Sequence, residues 1–367
     1  QVVAATGPLL QRDLGIDFGE LGLLIGLHML PGVLIAPPGG WIGARFGDKR
    51  MVLVGLAMMA IGGVAGAYDE SFAGAVAARV LSGTGAILLN VLMAKMVTDW
   101  FTGRELVLAM AIFITSWPVG LSLGLLILGP LAAMLGWGSA FHATAVMALI
   151  GFTSVATIYR PAADQVAAAV VPGLDRDEWR GVLLAGVIWA MFNVAFIVPL
   201  SFGPTLLVER GHDVATAASL TSILSWVSAA AVPLGGVIAH RGVSSTAIIL
   251  LGVVGMAVPL ALLPFAPVPI LWLLIIGVVG VLPAGAIMAL PAQCLRPQNR
   301  GFGMGIYFGV FYLGMALLPG LAGKLRDLSG APWAPFAAGV GFALAAALAL
   351  LAFRWTTRSR AAAVAAT

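Results

Sequence analysis

Apolar blocks of about twenty residues follow one another along almost the whole chain, and the breaks between them, mostly short, hold nearly all of its charges. A helix rises about 1.5 Å per residue, so about twenty residues cross the roughly 30 Å hydrocarbon core of a bilayer. The blocks are apolar all round rather than along one stripe, which makes a polytopic, all-α membrane protein the expected class. Composition agrees, with 61% hydrophobic and 9% charged residues and a mean hydropathy of +1.06. The 367 residues leave room for about eleven or twelve spans and for no large soluble domain.

A half-length apolar stretch, 1–10, is expected to be the end of a truncated first helix rather than a signal peptide, since it has no initiator Met and no basic flank. Spans are expected at 18–40, 50–68, 72–98, 104–130 and 138–158, then a polar linker at 159–181. Further spans are expected at 182–206, 214–238, 245–265, 268–292, 302–322 and 332–353, with a tail at 354–367. The expected organisation is six plus six, a bundle over 1–158 and a second over 182–353.

Counting Lys and Arg in alternate loops sets the orientation. One side has Arg45, Lys49, Arg50, Arg104, Arg160, Arg176, Arg180, Arg241, Arg296, Arg300, Arg354, Arg358 and Arg360; the other has Arg12, Arg210, Lys324 and Arg326. The positive-inside rule makes the first side cytoplasmic, together with the linker and the C-terminus. The pI of about 9.6 comes from these dispersed loops, not from a basic patch with interleaved aromatics, so nucleic acid is not an expected partner. One cysteine, Cys294, excludes an internal disulfide and a thiolate-rich metal site. No HExxH occurs, and neither metal nor cofactor is expected.

The halves resemble each other. Laying "GGWIGAR" at 39 on "GGVIAHR" at 235 needs an offset of 196, which also pairs Arg104 with Arg300 and Gly124 with Gly320. A duplicated bundle of this kind places a substrate site near the bilayer midplane between the halves.

Here the residues resemble the major facilitator superfamily. "GGWIGARFGDKR" is similar to its loop motif G-x-L-A-D-R-x-G-R-[RK]: Gly40, Ile42, Arg45, Gly47 and Lys49/Arg50 match. Ala44 stands where the family has an acid and Asp48 where it has a base. In the family that acid helps lock the outward-open state, and Asp48, one turn later, is the residue placed to replace it. "RVLSGTGA" from Arg79 resembles the family's fourth-span motif, and "DWF" at 99–101 its usual end. "GAILLNVLMAKMVTDWF" and "SWPVGLSLG" look most like the cyanate-permease and nitroimidazole-transporter branch. The resemblance implies a twelve-helix fold of two pseudo-symmetric bundles, alternating access, a monomer, and a bacterial inner (plasma) membrane. In the loop motif the glycines are expected to end the second helix and allow close packing, while the charges stay at the membrane face.

All fifteen Asp and Glu residues fall in loops or at helix ends on these spans, which weakens coupling through a buried carboxylate. Arg79 lies about 10 Å into the fourth span. Asn90, eleven residues on, shares its face at about 100° per residue, with Gly83 near the same stripe. Either Arg79 binds a planar or bidentate anion such as carboxylate, nitrate or cyanate, or it snorkels or caps backbone carbonyls. Lys95 is expected to snorkel. His28 binds substrate, carries a proton or packs, and His142 is interfacial. Trp117, Trp189, Asn193, Trp226, Tyr307, Phe308 and Tyr312 either line the cavity or pack and anchor. Trp117 and Tyr312 are favoured, because the offset maps Trp117 to Leu313, beside Tyr312. Gly120/Gly124 and Gly305/Gly309 are expected to permit close helix packing rather than dimerisation. "GLSLG" at 120 matches a nucleophile pattern by accident, having a helical context and no acid to orient a histidine.

The expected function is secondary transport of a small anion by uniport, exchange or symport. The alternative is uptake or efflux of neutral or aromatic molecules, with Arg79 structural. An intramembrane enzyme finds no catalytic constellation, and a receptor on a carrier fold finds no signalling domain.

Overall fold

The computed structural model describes residues 2–68, 71–100, 103–160, 173–296 and 299–365. The side-chain surroundings at Gly40, Asp99, Arg104 and Arg300, together with Phe101 and most of the linker, lie outside that description. The described chain folds as twelve helical segments, eleven of them long and apolar enough to cross a membrane. They are α1 (Val2–Leu14), α2 in three pieces (Phe18–Leu27, Gly32–Ile35 and Gly39–Phe46), α3 (Asp48–Tyr68), α4 (Phe72–Trp100), α5 (Gly103–Leu135) and α6 (Trp137–Ile158). Then come α7 (Arg176–Glu209), α8 (Val214–His240), α9 (Ser245–Leu262), α10 in three pieces (Pro269–Val279, Ala284–Met288 and Pro291–Cys294), α11 (Arg300–Ser329) and α12 (Ala334–Ala365).

Proline chemistry explains where this differs from the sequence reading. The second and tenth spans were expected to be single helices; both are broken, at Pro31 and Pro37–Pro38 in α2 and at Pro283 and Pro291 in α10. Each proline lacks an N–H and crowds the carbonyl four residues back. The glycines after Pro38 do not end α2. The chain turns helical again over Gly39–Phe46 and stops at Gly47, whose φ of 88° only glycine adopts without strain. The seventh helix starts at Arg176, not at 182, because Asp175 and Glu178 form a capping box at its head. Glu178 also accepts the Arg296 N–H at 2.7 Å and the Asn299 amide at 2.8 Å, tying that head to the start of α11.

Apolar side chains gain little by leaving lipid, so helix association rests on close packing. In the first half α3 packs on α4 and α6 through small residues, Gly62 against Ala78 and Ser82, and Gly63 against Ala145. In the second half α7 is the most buried span, packed on α8, α11 and α12. Across the halves α2 lies along α11, α5 along α8 and α1 along α7. At the α2–α11 seam a Cβ on Gly22, Gly26 or Gly323 would collide with the backbone of Pro319, Ala316 or Phe18. Gly305 joins this seam against Pro37. Gly120 does not act as expected, since nothing lies within 4 Å of where its Cβ would be.

Candidate functional site

The loop motif builds an ion pair rather than a bare charged patch. Asp48 heads α3, where helix N-terminal N–H groups favour a negative charge, and its side chain is wholly buried. Lys95, reaching across from α4 with 17% of its side chain exposed, meets Asp48 Oδ2 at 2.6 Å. Lys95 therefore does not snorkel: a carboxylate one helix away is a better partner than the membrane face. Asp48 Oδ1 has no hydrogen-bond partner among the described residues and lies where a Cβ on Gly43 would stand. The partner of Asp48 belongs to its own half. Lys49 donates to the Ala156 and Tyr159 carbonyls at 2.9 and 2.8 Å, which occupies carbonyls at the end of α6 that lack intrahelical donors. Arg45 and Arg50 point outward.

Deeper in the same half, Arg79 is 8% exposed. Its Nε donates to the Leu24 carbonyl at 3.0 Å, in the last turn before α2 breaks. No acidic side chain pairs with it among the described residues. His28 stands at that break, and its Nδ1 meets Ser82 Oγ at 3.3 Å. Gly83 packs on the His28 backbone. One face of α4 thus brings Arg79, Ser82 and Gly83 against the α2 break. Asn90, further along, is exposed, yet its amide donates to Tyr312 Oη of the other half at 3.4 Å. That contact marks the space between the halves.

The second half supplies an aromatic wall. Trp189 stacks on Phe192 and Tyr307 with centroids 5.5 and 6.4 Å apart, and Tyr312 contacts Phe308 and Phe311. Trp189 Nε1 is buried without a partner among the described residues. Asn193 turns back to the Trp189 carbonyl at 2.8 Å, and Tyr307 Oη reaches Met288 Sδ, at 3.7 Å. Tyr312 lies flat against Gly32 of α2. Trp117 and Tyr312 are not equivalent: Trp117 and Leu313 are 42% and 44% exposed, whereas Tyr312 is buried. A step of one residue rotates a helix position by about 100°, which separates the two faces. Trp226 lines a cleft of about 490 Å³ between α5 and α8, together with Leu126, Thr216 and Ser219 and without Arg79. His142 lies in the second turn of α6 and meets the Tyr68 ring edge-on at 5.0 Å.

At the end opposite the basic loops, each of the four cations expected there is engaged. Arg12 pairs with Asp13, and Arg210 caps the carbonyls of Pro264 and Ala266. Lys324 pairs with Asp17, and Arg326 with Glu209. Burial works against the Asp17 charge, but the Glu20 N–H and then Lys324 outweigh it and hold that carboxyl below its usual range. A lowered folded-state pKa stabilises above the unfolded value and is lost as pH falls through the folded one. We therefore expect this end to loosen only below about pH 4, readable as faster amide hydrogen exchange at the start of α2.

Ser82, Lys95 as an ion-pair partner, and Asp327 were missed in sequence. Ser82 was within reach, being one turn from Arg79. The other two depend on which helices become neighbours.

Two sets of helices that meet along paired seams, with a buried cation beside one seam that no described carboxylate neutralises, define a polytopic membrane protein. The Major Facilitator Superfamily profile matches residues 1–280 and 181–367, and the chain belongs to that superfamily. An uncharacterised transporter of the superfamily from Mycobacterium tuberculosis, Rv1250, is 26% identical over 199 residues, 53% of this chain and 32% of that protein. The inner membrane transport protein YajR of Escherichia coli is 29% identical over 37% of this chain and 30% of its own length. The quinolone resistance protein NorA of Staphylococcus aureus is 29% identical over 79 residues, 22% of this chain and 20% of its own length. The chain thus spans about a third or less of each of these relatives. A bacterial homologue of the lysosomal transporter Spinster, solved inward-facing and occupied, superposes with a TM-score of 0.77 at 14% identity, covering 97% of this chain and 92% of that one. The D-xylose-proton symporter gives 0.74 at 17% identity, covering 94% and 92%.

Proposed function

We propose that the protein is a secondary transporter that moves a small anion between its two halves by alternating access, with Arg79 as the anion-binding group. The observation that carries this reading is the state of the Arg79 guanidinium. It is buried, it spends Nε on the Leu24 carbonyl, and no carboxylate among the described residues neutralises it. A cation held inside a membrane protein without a counter-ion is costly and marks a functional position. Its two terminal nitrogens form the fork that matches a planar anion. His28 and Ser82 stand beside it as further polar partners, and Asn90 reaches the space between the halves. The domain limits 1–158 and 182–353, a bacterial inner membrane, a cytoplasmic basic end and a monomer belong to the same proposal.

A second reading, transport of neutral or aromatic molecules, is favoured by the aromatic wall with its unpartnered Trp189 Nε1 and by the name of the quinolone resistance relative. A thermal-shift screen separates the two. A ligand that binds only the folded protein stabilises it by about 2.7 kcal/mol at a hundred times its dissociation constant. We expect cyanate, nitrate, formate or a larger carboxylate to raise the melting temperature of the wild type and not of Arg79→Gln. Stabilisation by neutral aromatics alone would move Arg79 to a structural role and make the second reading the working one.

A further inference from the structure

From the seam opposite the basic loops we infer that Asp327 is a transferable helix cap, a latch through which one half of the protein holds the other closed at that end. This rests on the alternating-access reading. The first N–H groups of a helix have no intrahelical acceptor. In α2 those groups are divided between two sources. Asp17, the local N-cap, accepts the Glu20 N–H at 2.7 Å. The two donors before it are taken by a residue about three hundred positions away: Asp327, at the end of α11, accepts the Phe18 N–H on Oδ1 at 2.9 Å and the Gly19 N–H on Oδ2 at 2.8 Å. One carboxylate thus bridges two adjacent backbone donors of the other half, on the positive end of a helix dipole.

The surroundings explain why it can do so. Gly19, Gly22 and Gly26 of α2 and Gly323 of α11 have no side chains to hold the backbones apart, and any of these four with a Cβ would press into the facing helix. With the helices that close, the last turn of α11 reaches past the head of α2. Three acidic groups then crowd the site, Asp17, Glu20 and Asp327. Lys324 faces Asp17 at 3.3 Å, and the Arg326 guanidinium lies 4.9 Å over the Phe18 ring while holding Glu209 at 2.6 Å. Two of the four cations at this end, Lys324 and Arg326, are therefore placed on the seam.

A latch of this kind differs from an ordinary packing contact in what happens when it opens. Parting the halves leaves Phe18 and Gly19 N–H to water, and Asp17 with Glu20 still caps the helix. The α2 helix survives either way, so Asp327 alters the balance between closed and open without altering the fold of either half. Removing both charge-assisted bonds should shift that balance by about tenfold or more toward the open state.

The test reads accessibility and needs no substrate. In a Cys294→Ser background, Thr6→Cys places a thiol at a fully buried position of α1, next to Gly7, which faces Leu21 of α2 and Thr205 of α7. Ala343→Cys places a control thiol in the core of the second half. Maleimide labelling of purified protein is expected to speed up about tenfold at position 6 in Asp327→Ala. Asp327→Asn, which keeps one acceptor oxygen, should fall between, and Ala343→Cys should label no faster in either. Unchanged labelling at position 6 in both variants would overturn the latch, and so would equal acceleration at position 343, which would mean general unfolding. Anion stabilisation is measured separately, so loss of the latch would leave the substrate reading standing, and the reverse.

Discussion

Lys95→Met is expected to be among the most damaging single changes in this chain, lowering the melting temperature of the purified protein by on the order of 10 °C. The reason is the Asp48 carboxylate, which is fully buried, has one oxygen on Lys95 at 2.6 Å and leaves the other without a partner among the described residues. Removing one member of a buried pair strands the other charge and costs about 3–5 kcal/mol. Removing both costs far less, because two uncharged side chains of similar volume need no mutual compensation. We therefore expect Asp48→Asn combined with Lys95→Met to recover most of the lost stability. A double variant as unstable as the single one would show that the pair is not what ties α3 to α4.

Gly26→Leu is expected to break the seam between the halves. Overpacking a core ordinarily costs about 1–3 kcal/mol because neighbouring side chains can adjust. At Gly26 the obstacle is the backbone of Ala316 and Met315, which has no other rotamer, so α2 and α11 must separate along their length. The separation can be read directly. A Cβ on Gly320 would lie 3.5 Å from Leu23 Cβ, within the range a disulfide bridges. Leu23→Cys with Gly320→Cys is therefore expected to cross-link readily under mild oxidation, and adding Gly26→Leu to reduce the yield severalfold. Undiminished cross-linking would mean that the seam tolerates a side chain there and is looser than its geometry implies.

These two cases also show which parts of the molecule could be read without a structure. The spans were legible because a bilayer imposes a length and a polarity on any helix that crosses it, and only local chain is needed to recognise both. The breaks in α2 and α10 were legible in principle, since proline acts on its own helix; the helix stops at Gly47 rather than at the glycines beside Pro38, because Gly47 is the one that takes a positive φ. The offset that maps Trp117 to Leu313 describes two equally exposed positions, and the error of extending it to Tyr312 is one of helical rotation. Arg79 and His28 stood out as polar residues in apolar spans, and their residue types alone made them worth naming.

What the sequence determined by itself is the membrane class, the duplicated helices, the loop motif and the short roster of polar groups inside the spans, because each follows from local composition or from a repeat within one chain. Only the tertiary structure decided the partners. Lys95 finds Asp48, Arg79 finds the Leu24 carbonyl, Asn90 finds Tyr312 and Asp327 finds the head of α2. The physical reason is common to all four. In lipid, helices associate through close fit and a few polar contacts, so a side chain's role depends on which neighbour lies against its face. Hydropathy records that a residue is in a helix, and leaves its rotation and its neighbour to the packing.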